Sequence, residues 1–209
     1  MGARKKIVIG LVGKKGAGKD IFYVFLRELL YLKHGERYSS YNEQIMPRYW
    51  INLIKSSDIL IETLKRWGLP VSRENMQKLV KGMESIFEEG TLSNAIYPNI
   101  LDCSADIVVF NAIRWPTDIK ILRKFHPSFL IYIVADEKIR YERIKNRGEK
   151  PEENNLSFDQ FKEEEKASTE VLIEQLGAVA DLKIENNGTL EQFAEKVKEF
   201  YDKNLKAVI

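Results

Sequence analysis

Five strand-like stretches, separated by stretches of helical periodicity, organise this chain. Ile7, Val8, Ile9, Leu11 and Val12 form the first, nearly continuous, as in a strand buried on both faces of a parallel sheet. Phe22, Phe25, Leu26 and Leu29 then recur at helical spacing, which predicts a helix from about 18 to His34 with Gly35 as its stop. Residues 37–41 read as a short second strand, 106–111 and 129–134 as the third and fourth, and 180–184 as the last. Between the second and third strands, residues 42–103 give helical patterns over 53–67, 72–89 and 91–101, with Ser72 and Thr91 as N-caps. Trp50 and Trp67 are expected in the core.

Pro116 suits the first turn of a helix to Phe125, and Asp136 caps another that carries Arg140, Arg143 and Arg147 up to Gly148. Ser157 and Gln160 have capping-box spacing and open a long helix towards Gly177; Thr189 and Gln192 repeat the device for a closing helix to about Lys203. Alternating strands and helices predict an α/β fold in three layers, a five-stranded parallel sheet with right-handed crossovers. The expected strand order is 2-3-1-4-5.

The interval between the first strand and first helix carries the chemistry. Gly13, Lys14, Lys15, Gly16, Ala17, Gly18, Lys19, Asp20 and Ile21 have the strand, loop and helix context of a phosphate-binding P-loop. Glycines let the backbone turn its N–H groups onto an anion at a helix N-terminus, and Lys19 reaches the β- and γ-phosphates of a nucleotide. Asp20 stands where a serine or threonine ordinarily offers a hydroxyl to Mg²⁺; a carboxylate is an acceptable oxygen ligand in its place. ATP and Mg²⁺ are the expected cofactors.

Composition narrows the setting. The chain has 209 residues, enough for one domain, here 1–209, with a helical acceptor-binding subdomain over 42–103 and a lid over 143–166. A net charge of +2 offers no argument for a nucleic acid polymer or a membrane surface. Cys103 is the single cysteine, so no intramolecular disulfide forms, which fits the cytoplasm, as does the lack of a long apolar run. A monomer or homodimer is expected.

Three constellations point beyond nucleotide binding. Asn111 and Arg114 follow the third strand, where a doubly wound sheet opens onto the P-loop crevice; arginine holds a phosphate with fixed, bidentate geometry. Arg143 and Arg147 lie one helical turn apart before a polar segment, as in a lid that screens charge during phosphoryl transfer. Tyr41, Arg48, Arg66 and Arg73 are possible acceptor contacts on the helical block, though residues of these types are more often surface or packing residues than ligands.

The P-loop, the block from Val108 to Arg114, the stretch from Arg140 to Gly148 and the turn from Ile184 to Leu190 together resemble the adenylate-kinase-like branch of P-loop kinases. Deoxynucleoside monophosphate kinases are the closest in pattern, with phosphomevalonate kinase and dephospho-coenzyme A kinase as cousins. The likeness covers 6–34 and 105–195 well and 36–103 only in general shape. It implies transfer of the γ-phosphoryl group of ATP to a small phosphorylated acceptor held by Arg114, with a (deoxy)nucleoside monophosphate foremost. The family has an aspartate where this chain has Asn111, so Asp20 is the one carboxylate left near the metal. A catalytically impaired nucleotide-binding regulator is the reading from another class. An alcohol acceptor gains from a base, and the stretch after the second strand, Ser39 to Asn42, offers none beyond Glu43. A phosphate monoester is already largely dianionic at neutral pH and needs none.

Overall fold

The computed structural model describes residues 6–34, 37–38, 45–46, 49–111, 113–147, 156–166 and 172–209. At its centre lies β1 (Ile7–Val12), flanked in parallel register by β5 (Ile107–Asn111) and β6 (Ser128–Val134). Outside these run β4 (Ile51–Lys55), beside β5, and β7 (Leu182–Glu185), beside β6. Numbered along the sheet-forming strands alone, the order is the expected 2-3-1-4-5.

The second of those strands is not the stretch that was expected. Arg37–Tyr38 (β2) pairs antiparallel with Ile45–Met46 (β3) in a separate two-stranded ribbon, and Ile51–Lys55 takes the sheet position. The run Ile51, Leu53, Ile54 meets a helical period as well as a strand, and strand pairing with the fully buried β5 decides between them. The helix expected from Leu53 therefore begins later, as α2 (Ser56–Arg66), directly after the strand with no intervening loop.

Alternation along β1 divides the core. Ile7, Ile9 and Leu11 face one layer, built on α1 (Lys19–His34) and the C-terminal helix α9 (Leu190–Phe200), with Phe22, Leu26, Phe193 and Phe200. Val8 and Val12 face the other, where α4 (Thr91–Asp102), α5 (Pro116–Leu122) and α8 (Ile173–Ala178) supply Ile96, Ile100, Leu122 and Leu176. Each fully buried Leu, Ile or Phe contributes roughly 1.5–3 kcal/mol.

Ser72 accepts a hydrogen bond from the Asn75 N–H and caps α3 (Arg73–Ile86). The cap of α4 is Gly90, with φ +88°, rather than Thr91. Helix α6 (Glu137–Arg147) follows β6. Where one long helix is expected from 157 to 177, the described residues include α7 (Phe158–Glu165), which ends at its C-cap Lys166 and has the expected Ser157–Gln160 capping box, and α8. The Thr189–Gln192 box opens α9, which passes at Phe200 into a wider turn, Tyr201–Leu205, that buries Tyr201 and Leu205. Trp50 and Trp67 are exposed (53% and 62%), not core. Trp67 follows α2 at its solvent-facing end, where the helical period alone does not tell a buried face from a helix terminus.

Candidate functional site

The loop from Gly13 to Gly18 leaves the carboxyl edge of β1 and turns into α1. Gly16 and Gly18 have φ of +79° and +108°, and a Cβ would lie 2.8 Å from Arg140 O and 2.4 Å from Asn186 Nδ2 respectively. Both the backbone conformation and the close approach demand glycine. The Ala17 N–H donates to Lys14 O at 3.2 Å, closing the turn. Lys19, buried, donates from Nζ to Gly13 O (2.6 Å) and Lys14 O (3.1 Å), so its ammonium spans the loop's mouth. Ile21, one position on from Asp20, is partly exposed (38%) on α1.

Asp20 does not stand alone. Its Oδ1 lies 2.7 Å from Lys55 Nζ and accepts a hydrogen bond from Asn111 Nδ2 at 3.0 Å. Lys55 and Asn111 are register partners at the carboxyl ends of β4 and β5, which is how the sheet brings them together beside the P-loop. Asn111 is buried, and its Oδ1 has no hydrogen-bond partner among the described residues. A carboxylate oxygen beside an unsatisfied amide oxygen is a donor set that fits a hard divalent cation. No group of three or more His, Cys, Asp or Glu side chains suited to a metal occurs among the described residues.

Arg114 follows β5, and a buried carboxylate fixes its backbone. Asp118, fully buried on α5, accepts from the N–H groups of Arg114 (2.9 Å) and Trp115 (3.1 Å) and from Ser93 Oγ (2.6 Å). Burial pushes the Asp118 carboxyl up, against the pull of those donors and of the Arg114 charge. Nothing in the spacing of Asp118 along the sequence signals its burial.

A second group of charges covers the P-loop from the α6 and α7 side. Arg140, buried, forks onto the Glu165 carboxylate, donates to Ala135 O (3.0 Å) and Lys15 O (3.3 Å), and lies over the Phe161 ring at 5.4 Å. Glu164 Oε2 accepts from both Lys15 Nζ (3.0 Å) and Arg73 Nη1 (2.9 Å), while Lys14 Nζ pairs with Glu174 at 3.0 Å. Burial alone would raise the Glu164 carboxyl; hydrogen bonds and charge from Lys15 and Arg73 outweigh it and hold it below its usual value. Arg73 is thus brought to the loop, through a carboxylate.

Of the two arginines expected in the lid, Arg143 donates from Nη2 to Asn186 Oδ1 (3.3 Å), and Asn186 Nδ2 in turn donates to Ala17 O (2.9 Å). Burial lowers the Arg143 pKa, and its Nη1 is buried with no partner among the described residues. Arg147 is exposed at the end of α6. Arg66 pairs with Glu62 at 2.8 Å along α2 and is largely exposed. Tyr41, Arg48 and Glu43 lie outside the described residues.

The stretch searched for a base after the second strand also needs correcting, because Lys55 and not Tyr41 ends that strand. Asp58 follows, exposed, with Oδ2 accepting the Lys55 N–H at 3.3 Å as the first turn of α2 begins. Lys55, Asp118, Arg140, Glu164, Glu165 and Asn186 are not among the site residues expected from the sequence. Only Lys55 had a signal available, as the polar residue ending an apolar run.

No family model matches the chain. It is 26% identical over 160 residues to a UPF0200/UPF0201 protein of Archaeoglobus fulgidus, across 75% of this chain and 49% of that protein, so it spans about half of that relative's length. With the UPF0200 protein MJ1399 of Methanocaldococcus jannaschii it shares 24% over 189 residues, 88% of this chain and 84% of the relative. Among solved structures, TT1252 from Thermus thermophilus superposes with a TM-score of 0.60 at 15% identity, covering 96% of this chain and 98% of that one. A shikimate kinase from Bacteroides thetaiotaomicron gives 0.55 at 10% identity, over 94% and 98%. A shikimate kinase from Acinetobacter baumannii, in complex with shikimate, gives 0.51 at 15%, over 96% of each chain. At these identities the likeness is one of fold alone.

Proposed function

We propose that this chain is a phosphotransferase that moves the γ-phosphoryl group of ATP onto a small phosphorylated acceptor, with a (deoxy)nucleoside monophosphate as the leading class. The observation that carries the reading is Arg143 Nη1, a buried guanidinium nitrogen with no partner among the described residues, on a side chain joined through Asn186 to the backbone of a glycine-demanding loop that holds Lys19. A buried unsatisfied donor costs about 1–3 kcal/mol, which an anionic ligand would recover. That solved structures of this fold include shikimate kinases supports a small-molecule acceptor.

Each residue has a task in such a transfer. Lys19 turns from Gly13 O and Lys14 O onto the β- and γ-phosphates, exchanging two carbonyls for charge-assisted bonds. Asp20, with Asn111 Oδ1 beside it, would hold Mg²⁺, which when bound neutralises charge developing on the phosphates. Arg114, its backbone held by Asp118, orients the acceptor phosphate in line, and Arg143 screens the transferred group from water's side. The acceptor oxygen needs no base, and the residues ending β4 and β5, Lys55 and Asn111, offer none.

Calorimetric titration with ATP, followed by ADP production over a panel of nucleoside monophosphates, phosphomevalonate, dephospho-coenzyme A and shikimate, tests this. Lys19→Ala should lower kcat by at least ~100-fold, about 2.7 kcal/mol of transition-state stabilisation. Turnover of dephospho-coenzyme A or shikimate alone would overturn the phosphate-acceptor reading. ATP binding with no turnover on any acceptor would favour the nucleotide-binding regulator, a reading that Asn111 in place of an aspartate supports.

A further inference from the structure

Asp20 already has a cation, and it belongs to the protein. Lys55 Nζ stands 2.7 Å from Asp20 Oδ1, the oxygen that also accepts from Asn111 Nδ2. The backbone of Lys55 is fixed: it closes β4 in register with Asn111, caps α2, and donates its N–H to Asp58. The side chain is not fixed in that way. It is 36% exposed and reaches Asp20 along a flexible four-carbon stem. Within the cluster, Asn111 Oδ1 is buried and lacks a hydrogen-bond partner among the described residues.

We propose that Lys55 is the resting-state cation of Asp20, exchanged for the divalent ion that accompanies the nucleotide. An ammonium and a divalent cation repel and cannot both hold the one carboxylate oxygen at contact distance. The incoming ion is also a better match to the site, because with its waters it offers a partner to Asn111 Oδ1, which Lys55 leaves unpaired. Once displaced, the ammonium stays at the carboxyl edge of β4, one strand from the Arg114 segment that follows β5. There it adds a second positive charge for an acceptor phosphate. Acceptor binding then follows metal–nucleotide binding, since the acceptor side gains this charge only after the exchange. That last step rests on the phosphotransferase reading; the exchange itself rests only on Asp20, Asn111 and Lys55.

Titration with Mn²⁺ alone, read from the electron paramagnetic resonance of the free ion, tests the exchange without nucleotide or turnover. Lys55→Met should bind Mn²⁺ about two- to fivefold more tightly than the unaltered protein, the range an exposed ion pair supports. Lys55→Arg should bind it no more tightly than the unaltered protein, and Asp20→Asn should lose the site. In protein whose lysines carry ¹³C-methyl groups, the resonance missing from Lys55→Arg should shift saturably with Mg²⁺. Equal Mn²⁺ affinity in Lys55→Met and the unaltered protein, or no Mn²⁺ binding in either, would overturn the exchange. ATP titrated separately judges the phosphotransferase reading: its failure to bind refutes that reading while the Mn²⁺ result still decides the exchange.

Discussion

Glu165→Gln isolates a buried guanidinium and puts a number on the charge layer above the P-loop. The Arg140 side chain is 4% exposed and that of Glu165 11%, so neither has water to fall back on. Removing one partner of a buried pair costs about 3–5 kcal/mol, chiefly through the charge left behind. Here Arg140 retains Ala135 O, Lys15 O and the face of Phe161, and glutamine still offers one acceptor oxygen. The expected loss is therefore smaller, about 2–3 kcal/mol, read as a lowered urea midpoint at unchanged slope. The double variant Arg140→Met with Glu165→Leu removes both charges and should return to within about 1 kcal/mol of the unaltered protein. A loss below about 0.5 kcal/mol for the single variant, or a double variant less stable than the single one, would refute this account of the pair.

Two further outcomes can be measured on the same protein. Asp118→Ala leaves the Arg114 and Trp115 N–H groups and the Ser93 hydroxyl without their shared acceptor, and should cost about 2–4 kcal/mol in urea unfolding; a cost near zero would mean the segment is held by other contacts. Glu164, held below its usual 4.5, contributes stability above that value that disappears as pH falls through its lower folded value, so Glu164→Gln should flatten the acid limb of the stability–pH curve. An acid limb identical in the variant would show that Lys15 and Arg73 do not stabilise the ionised form.

What could be read from the chain and what could not divide along a physical line. Continuous apolar runs such as Ile7 to Val12 and Ile107 to Phe110 announce strands buried on both faces, and the sheet order followed from their spacing by helices. The P-loop was legible because glycine spacing and Lys19 are local. The second strand was misplaced because Ile51 to Ile54 is apolar enough for either element, and only pairing with β5 selects the strand. That one error hid Lys55, whose place beside Asn111 is a matter of register. Asp118 and Glu165 were missed for another reason: charged residues on helices ordinarily face water, and the donors that make these burials affordable lie as many as 25 residues away.

Glu164 Oε2, shared between Lys15 of the P-loop and Arg73 at the start of α3, is an anion that the protein supplies to itself. A tethered ligand acts at an effective concentration, on the order of millimolar for short flexible links. Any phosphate arriving at Lys15 thus enters by replacement, and its measured affinity is a difference between two anions rather than the strength of one. Ionic strength weakens the tether and the newcomer alike, so salt should change their ratio less than it changes either contact. The carboxylate also bridges the loop and the helical block before any ligand arrives. Displacing it removes the Arg73 and Lys15 contacts together, so the loop and that block sense the same occupant.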